Sequence, residues 1–312
     1  MPRQLAFRPG LHAAMLSLAA WLAGTAHAGT QPSPADTPRL RPVVGVERNA
    51  LVEVDDTLLD VAYRERLGFI ALAQLNPGVD EWIPDPGTIV KLPTRYVLPD
   101  VREEGLMLNV PEMRLYDFRV PGPEVFAAAV GDPTDPTPIG EFRIGEKRVN
   151  PTWTVPASIR AEKPELPPQV PPGPDNPLGG LWMTLGTTSY GIHGTNIRWS
   201  IGRMATHGCV RLYEDQMARL FERTPPGTRI RIVYQPFKWG VDGDGLYLEA
   251  HPDLYGLLPD PLDAALEVPR ALGLLEAIAL DEVRRVVDAT LGAPVRVGTL
   301  GLAPAPTSTP PS

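Results

Sequence analysis

Among 312 residues there is one cysteine, and it stands in Thr206-His207-Gly208-Cys209-Val210-Arg211-Leu212. A chain with a single cysteine forms no internal disulfide, so Cys209 does not staple the fold. The bland account is a buried, inert thiol, since free cysteine is among the most buried residue types. Its neighbours point elsewhere. In an extended segment His207, Cys209 and Arg211 project to one face. An imidazole and a guanidinium beside a thiol favour the thiolate, which is the form that attacks. Such a nucleophile needs a base. The sequence holds five histidines. His12 and His27 fall in an N-terminal leader, and His251 falls in a Pro-flanked segment. His193 and His207 remain. His193 ends Tyr190-Gly191-Ile192-His193, which reads as a strand running into the turn Gly194-Thr195-Asn196. A strand, a loop and a return strand between His193 and Cys209 would bring the two side chains together. The alternative is an ordinary polar strand end. One cysteine and scattered histidines form no ligand set, so no metal is expected and no cofactor. Gly191-Ile192-His193-Gly194 lacks the phosphate-loop pattern.

The elements that must position these residues follow a leader. Arg3 and Arg8 precede an apolar run, Leu11 to Ala23, and Ala26-His27-Ala28 matches a small-x-small cleavage site. Residues 1–28 therefore read as a signal peptide of an exported protein. Cleavage would remove two arginines and no acid, making a net charge of −8 still more negative. That balance argues against nucleic acid or an anionic membrane surface as partner. Proline is abundant, 38 residues, and its clusters mark a flexible leader (29–42), a loop (about 164–177) and a disordered tail (301–312).

Residues 43–97 read as strand, helix, helix, strand. Asp56-Thr57 caps a helix with Leu58, Val61 and Ala62 at helical spacing, and Asn76-Pro77-Gly78 stops a second helix. Gly87 to Pro93 reads as a strand, with Val52 and Val54 as its expected partner. Residues 98–236 read mostly as strands, including Leu106 to Leu115, Val125 to Val130, Leu181 to Leu185 and Arg229 to Tyr234. One helix is expected there, Glu214 to Arg223, with Met217, Leu220 and Phe221 on one face. Residues 237–300 read as an extension with one strand, Gly245 to Ala250, and one helix, Leu274 to Leu291. The fold class is mainly β with some α.

His193-Gly194-Thr195 followed by Thr206-His207-Gly208-Cys209-Val210-Arg211-Leu212 resembles the active-site signature of the L,D-transpeptidase catalytic domain, the YkuD type. Thr137 to Phe142, Asn150 to Trp153 and Gly173 to Gly179 are similar to the periplasmic branch of that family. Residues 43–97 resemble a LysM peptidoglycan-binding module, through "DTLLDVA", "LNPGV" and "GTIVKLP". The resemblance implies a β-sandwich-like catalytic domain behind a small βααβ module, in a periplasmic monomer. It implies that Cys209 attacks a tetrapeptide stem, releases D-alanine and passes the acyl group to an amine. That amine belongs to a second stem or to a lysine of an outer-membrane lipoprotein. His193 would carry protons, the Gly194 carbonyl would fix its tautomer, and backbone N–H groups near Gly208 and Cys209 would hold the oxyanion. His207 would line the site. Arg211, Thr206, Tyr190 and Asn196 would bind substrate, with Trp153, Trp182 and Trp199 as a candidate wall and residues 163–180 as a lid or a plain surface insertion. Hydrolysis of the same linkage, or peptidoglycan binding without catalysis, are the competing functions.

Overall fold

The computed structural model describes residues 38–100 and 104–301. The expected signal peptide, residues 29–37 of the expected leader and residues 302–312 of the expected tail lie outside them. The chain enters through strand β1 (Arg41–Gly45), which begins inside the stretch expected to be leader. A small unit follows: β2 (Arg48–Leu51), α1 (Leu58–Glu65), α2 (Phe69–Leu75) and β3 (Ile89–Leu92). The chain leaves this unit through β4 (Arg95–Val97).

Helix α1 starts where a capping box forms. The Asp60 N–H donates to Thr57 Oγ1 at 3.3 Å, and the Thr57 N–H donates to Asp60 Oδ2 at 3.0 Å. Two end N–H groups are thereby satisfied reciprocally. Val52, Leu58, Val61, Phe69, Leu72 and Val90 form a private core. β2 pairs antiparallel with β3. The partner strand is thus centred on 48–51; Val52 extends the pairing, its N–H donating to the Thr88 carbonyl and its carbonyl accepting from the Gly87 N–H, while Val54 lies beyond it. Val52 already turns into the core, and Val54 is 74% exposed as the chain bends through Asp55 at positive φ.

The central sheet takes nine strands: β5 (Leu106–Asn109), β6 (Arg114–Asp117), β7 (Glu124–Gly131), β8 (Gly140–Val149), β11 (Leu181–Leu185), β12 (Gly191–His193), β13 (Met204–Thr206), β14 (Val210–Leu212) and β15 (Arg229–Val233). Their order is β13-β7-β14-β12-β11-β8-β15-β5-β6, and β6 also pairs with β7. That extra pairing closes eight strands into a ring, with β13 attached outside β7. Alternate side chains point inward, so Leu108, Phe126, Ile144, Met183, Ile192 and Ile232 fill the interior. Helix α4 (Glu214–Arg223) adds Met217 and Leu220 to the same core. Leu106 to Leu115, expected as one strand, is a hairpin. Pro111 has no N–H for a ladder, and Met113 reverses the chain at positive φ.

Between β8 and β11 lies a proline-rich strap with β9 (Trp153–Thr154), α3 (Ala157–Glu162) and β10 (Gln169–Val170). Buried Asn176 pins it: its Nδ2 donates to the Pro151 carbonyl at 2.8 Å, and its Oδ1 accepts the Leu178 N–H at 2.9 Å.

Residues 237–299 form more than one strand and one helix. They supply β16 (Phe237–Asp242), β17 (Gly245–Ala250) and β18 (Val295–Thr299), with α5 (Pro261–Ala271) and α6 (Leu280–Ala289). The second sheet runs β18-β17-β16-β1-β4, so it weaves the start of the described chain into its end. Ala265 and Val283 of the two helices pack on Trp239 and Leu248 of the strands. The helix expected from Leu274 is shorter because Ile278 bridges to Gly298, which delays its start.

At the seam between ring and second sheet, Lys238 Nζ lies 2.8 Å from Glu112 and 3.2 Å from Glu249. Arg114 lies 3.1 Å from Glu249, and His251 Nε2 lies 2.9 Å from the same carboxylate. All five are buried. The small unit docks on the stretch that flanks Cys209. Tyr213 donates to the Leu67 carbonyl at 2.9 Å, and Arg66 meets Asp215 at 3.0 Å. Among the described residues no helix is long and apolar enough to cross a membrane.

Candidate active site

Sheet register gathers the chemistry. β12 and β14 are parallel neighbours, with Ile192 opposite Val210 and His193 opposite Arg211. Ile192 and Val210 point into the core. His193 and Arg211 therefore share the outer face, and Cys209, two residues before Arg211, joins them. β11 adds Trp182 opposite His193, with the rings stacked at 5.5 Å. The result is a cleft of about 360 Å³ holding Cys209, His193, His207, Arg211, Tyr190 and Trp182. The strap supplies another wall, through Trp153, Ile159 and Leu178.

The cysteine segment is not one continuous strand. β13 ends at Thr206 and β14 begins at Val210, with Gly208 at φ +92 between them. A Cβ there would also collide with the Tyr190 ring. Gly208 is thus required both by its backbone angle and by its neighbour. Thr206 Oγ1 donates to the Cys209 carbonyl at 2.6 Å and closes the turn.

His193 Nδ1 lies 2.6 Å from the Gly194 carbonyl. A carbonyl only accepts, so Nδ1 carries the proton and Nε2 keeps its lone pair. Burial, reinforced by the Arg211 guanidinium, pushes the imidazole down to about 3, against hydrogen bonds to the Gly194 and Leu178 carbonyls. Burial also pushes the Cys209 thiol up, opposed by the Gly191 N–H and Arg211. This corrects the thiolate expected from neighbouring residues alone: the resting pair is a neutral thiol beside a neutral imidazole. Desolvation, which depends on the fold, outweighs the adjacent cation. Arg211 stays unspent. Burial lowers its affinity for the proton, its Nε is buried without a hydrogen-bond partner, and no carboxylate pairs with it among the described residues.

Residues 103–232 match the family model for the L,D-transpeptidase catalytic domain, YkuD. The chain is 35% identical over 298 residues to "Probable L,D-transpeptidase YcfS" of Escherichia coli (strain K12), covering 88% of this chain and 90% of that protein. It is 33% identical to "Probable L,D-transpeptidase YbiS" of the same strain, covering 88% and 93%. This chain is an L,D-transpeptidase family member. A solved L,D-transpeptidase from Mycobacterium smegmatis is similar over 46% of this chain and 63% of its own, at 18% identity and a TM-score of 0.31.

Not every residue assigned to this L,D-transpeptidase's cleft lies in it. Asn196 does not line the cleft; its Nδ2 donates to the Pro174 carbonyl at 2.9 Å and holds the strap. Trp199 is 57% exposed and also lies outside the lining. His207 stands at the lip, 3.1 Å from Glu162 and 3.9 Å from Asp135. These three bring donor atoms within 4.8 Å of one another, a grouping invisible in sequence because each comes from a different segment of the chain. At the seam, the similar trio Glu112, Glu249 and His251 already holds the Lys238 ammonium among its oxygens. Two further residues escape the sequence reading. Arg148 reaches the cleft because it pairs with Trp182 across β8 and β11, and Glu214 lies behind Gly194. Strand alternation would have found Arg148; Glu214 reads in sequence as an ordinary acid at a helix start.

Proposed function

We propose that this L,D-transpeptidase works in the periplasm on peptidoglycan tetrapeptide stems. The observation that carries the reading is the buried His193, its Nδ1 held by the Gly194 carbonyl, in one cleft with the only cysteine. Cys209 Sγ attacks the carbonyl carbon before the terminal D-alanine as its proton passes to His193 Nε2. Backbone N–H groups at the Gly208–Cys209 turn meet the oxyanion. The C–N bond breaks, and D-alanine leaves with the proton from His193. The thioester is then attacked by an amine, which loses its proton to the same nitrogen. The thiolate departs and is reprotonated.

Arg211 supports the reading in two ways. It stabilises the thiolate as it forms, and it offers a buried guanidinium to a stem carboxylate. The cleft's aromatic wall, Trp153 and Trp182, suits the flat amides of a peptide. The βααβ unit, with its own core and its dock beside Cys209, suits a LysM-like module that holds the glycan near the cleft. The acceptor is an amine of a second stem or a lipoprotein lysine. The apolar leader and the acidic balance suit an exported enzyme.

The test is purified protein with disaccharide-tetrapeptide and a lysine-ended lipoprotein peptide, read by mass spectrometry. Stem joined to stem, or stem joined to peptide, is expected with loss of D-alanine. Cys209→Ala should lower the rate by about 10³-fold or more while unfolding at the wild-type midpoint. Tripeptide alone would make the protein a hydrolase. Transpeptidation that survives in Cys209→Ala would sink the mechanism.

A further inference from the structure

Glu214, the first residue of α4, is an exposed residue whose carboxylate turns back onto the turns at Gly179 and Gly194, and among the described residues no cation pairs with it. Its carboxylate is spent on backbone. The Gly180 N–H points at Oε2 from 3.5 Å, and the Thr195 N–H is a second donor. Burial pushes this carboxyl up, the two N–H groups act against that, and neighbouring Asp215 adds to it. The carboxylate lies so close to Gly194 and to Gly179 that a Cβ on either would overlap it. A Cβ on Gly179 would also come within 2.9 Å of the Gly194 carbonyl carbon. Two glycines from separate turns are therefore shaped around one carboxylate. One belongs to the end of the strap, and the other bears the carbonyl that accepts from His193 Nδ1.

We infer that Glu214 is a positioning residue, fixing the Gly194 carbonyl that orients His193 and anchoring the end of the strap at the same point. The inference rests on the proposed role of His193 as proton carrier. In Ser-His-Asp hydrolases the carboxylate touches the imidazole directly. Here a peptide carbonyl does so, and the carboxylate stands one bond network further back. A peptide unit is a weaker anchor than a carboxylate because it can rotate, and Glu214 removes that freedom through the Thr195 N–H. Without it the imidazole is free to carry its proton on either nitrogen. Only the Nδ1–H form can take the proton of Cys209.

The experiment is nitrogen-15 NMR of His193 in the free full chain, wild type against Glu214→Ala and Glu214→Gln. A single Nδ1–H tautomer is expected in the wild type and a mixture in Glu214→Ala. In that variant kcat should fall on the order of 10–100-fold, the size seen when a metal-bound histidine loses its outer hydrogen-bond partner, with KM little changed. Glu214→Gln keeps the shape and one acceptor oxygen, so it should show a partial mixture and a smaller loss. A fixed Nδ1–H tautomer in Glu214→Ala overturns the inference. If Glu214→Ala does not fold, wild-type tautomer and kcat in Glu214→Gln overturn it instead. The NMR readout needs no substrate, so it stands apart from the activity of Cys209→Ala, which tests the mechanism itself.

Discussion

The seam and the cleft each bury titratable groups, and they treat them in opposite ways. At the seam, burial pushes the Glu249 carboxyl up, but Lys238, His251 and Arg114 together hold it down to about 2. Every charge there faces an opposite charge. In the cleft, Arg211 has no carboxylate among the described residues, and burial keeps His193 and Cys209 neutral. The seam's electrostatics are complete without a ligand. The cleft's are complete only when an anion, a thiolate or an oxyanion, arises beside Arg211. A fully paired cluster serves the fold, and an unpaired one is poised for a reaction.

Substitution should separate the two regions most sharply. Lys238→Met leaves two buried carboxylates short of a cation and should cost about 3–5 kcal/mol in a denaturant titration. Arg211→Met removes a cation with no such partner and should change stability by less than about 1 kcal/mol while lowering the transpeptidation rate. Equal losses of stability would abolish the contrast.

Acid and base should then divide the molecule in turn. Glu249 titrates lower in the folded than in the unfolded chain, so its contribution is present above the ordinary carboxyl value of 4.5. That contribution, on the order of a few kcal/mol, is lost as the pH falls from there toward about 2. Stability profiles of the wild type and Glu249→Gln should converge across this window. The cleft responds at the other end. Iodoacetamide labelling of Cys209 should rise only above the pH of an ordinary thiol, because burial holds the proton on sulfur. A labelling midpoint below the ordinary value would mean a preformed thiolate. The smallest effect belongs to Asn196→Ala, which removes one exposed hydrogen bond to the strap and should alter the rate by no more than about twofold. A larger loss would return Asn196 to the substrate-binding residues.

The chemistry was far more legible in sequence than the architecture that houses it. Cys209 and His193 stand out because a lone cysteine and a scarcity of histidines leave few choices. The α1 cap at Thr57 and the apolar face of α4 are equally local signals. The protonation states were not legible, because burial comes from residues such as Trp182 and Leu178 that are distant in sequence. The second sheet was hidden for the same reason. Alternation in Gly245–Ala250 marks a strand, but nothing in Arg41–Gly45 announces that it will lie parallel to Phe237–Asp242. Lys238 looks like a surface residue until Glu112 and Glu249 close around it.

That weaving of early and late strands has a consequence for how the protein is made. β1 reaches its neighbour only after residues 237–242 exist, since Arg41 lies opposite Gly240. Until then Glu112 and Arg114 have no Lys238 or Glu249 to meet, and the edge of β1 that will receive β16 lacks its cover. A chain cut short before residue 237 would carry the whole catalytic constellation yet display the bare edge of β1 and half an ion cluster, the marks by which proteases and chaperones recognise unfinished work.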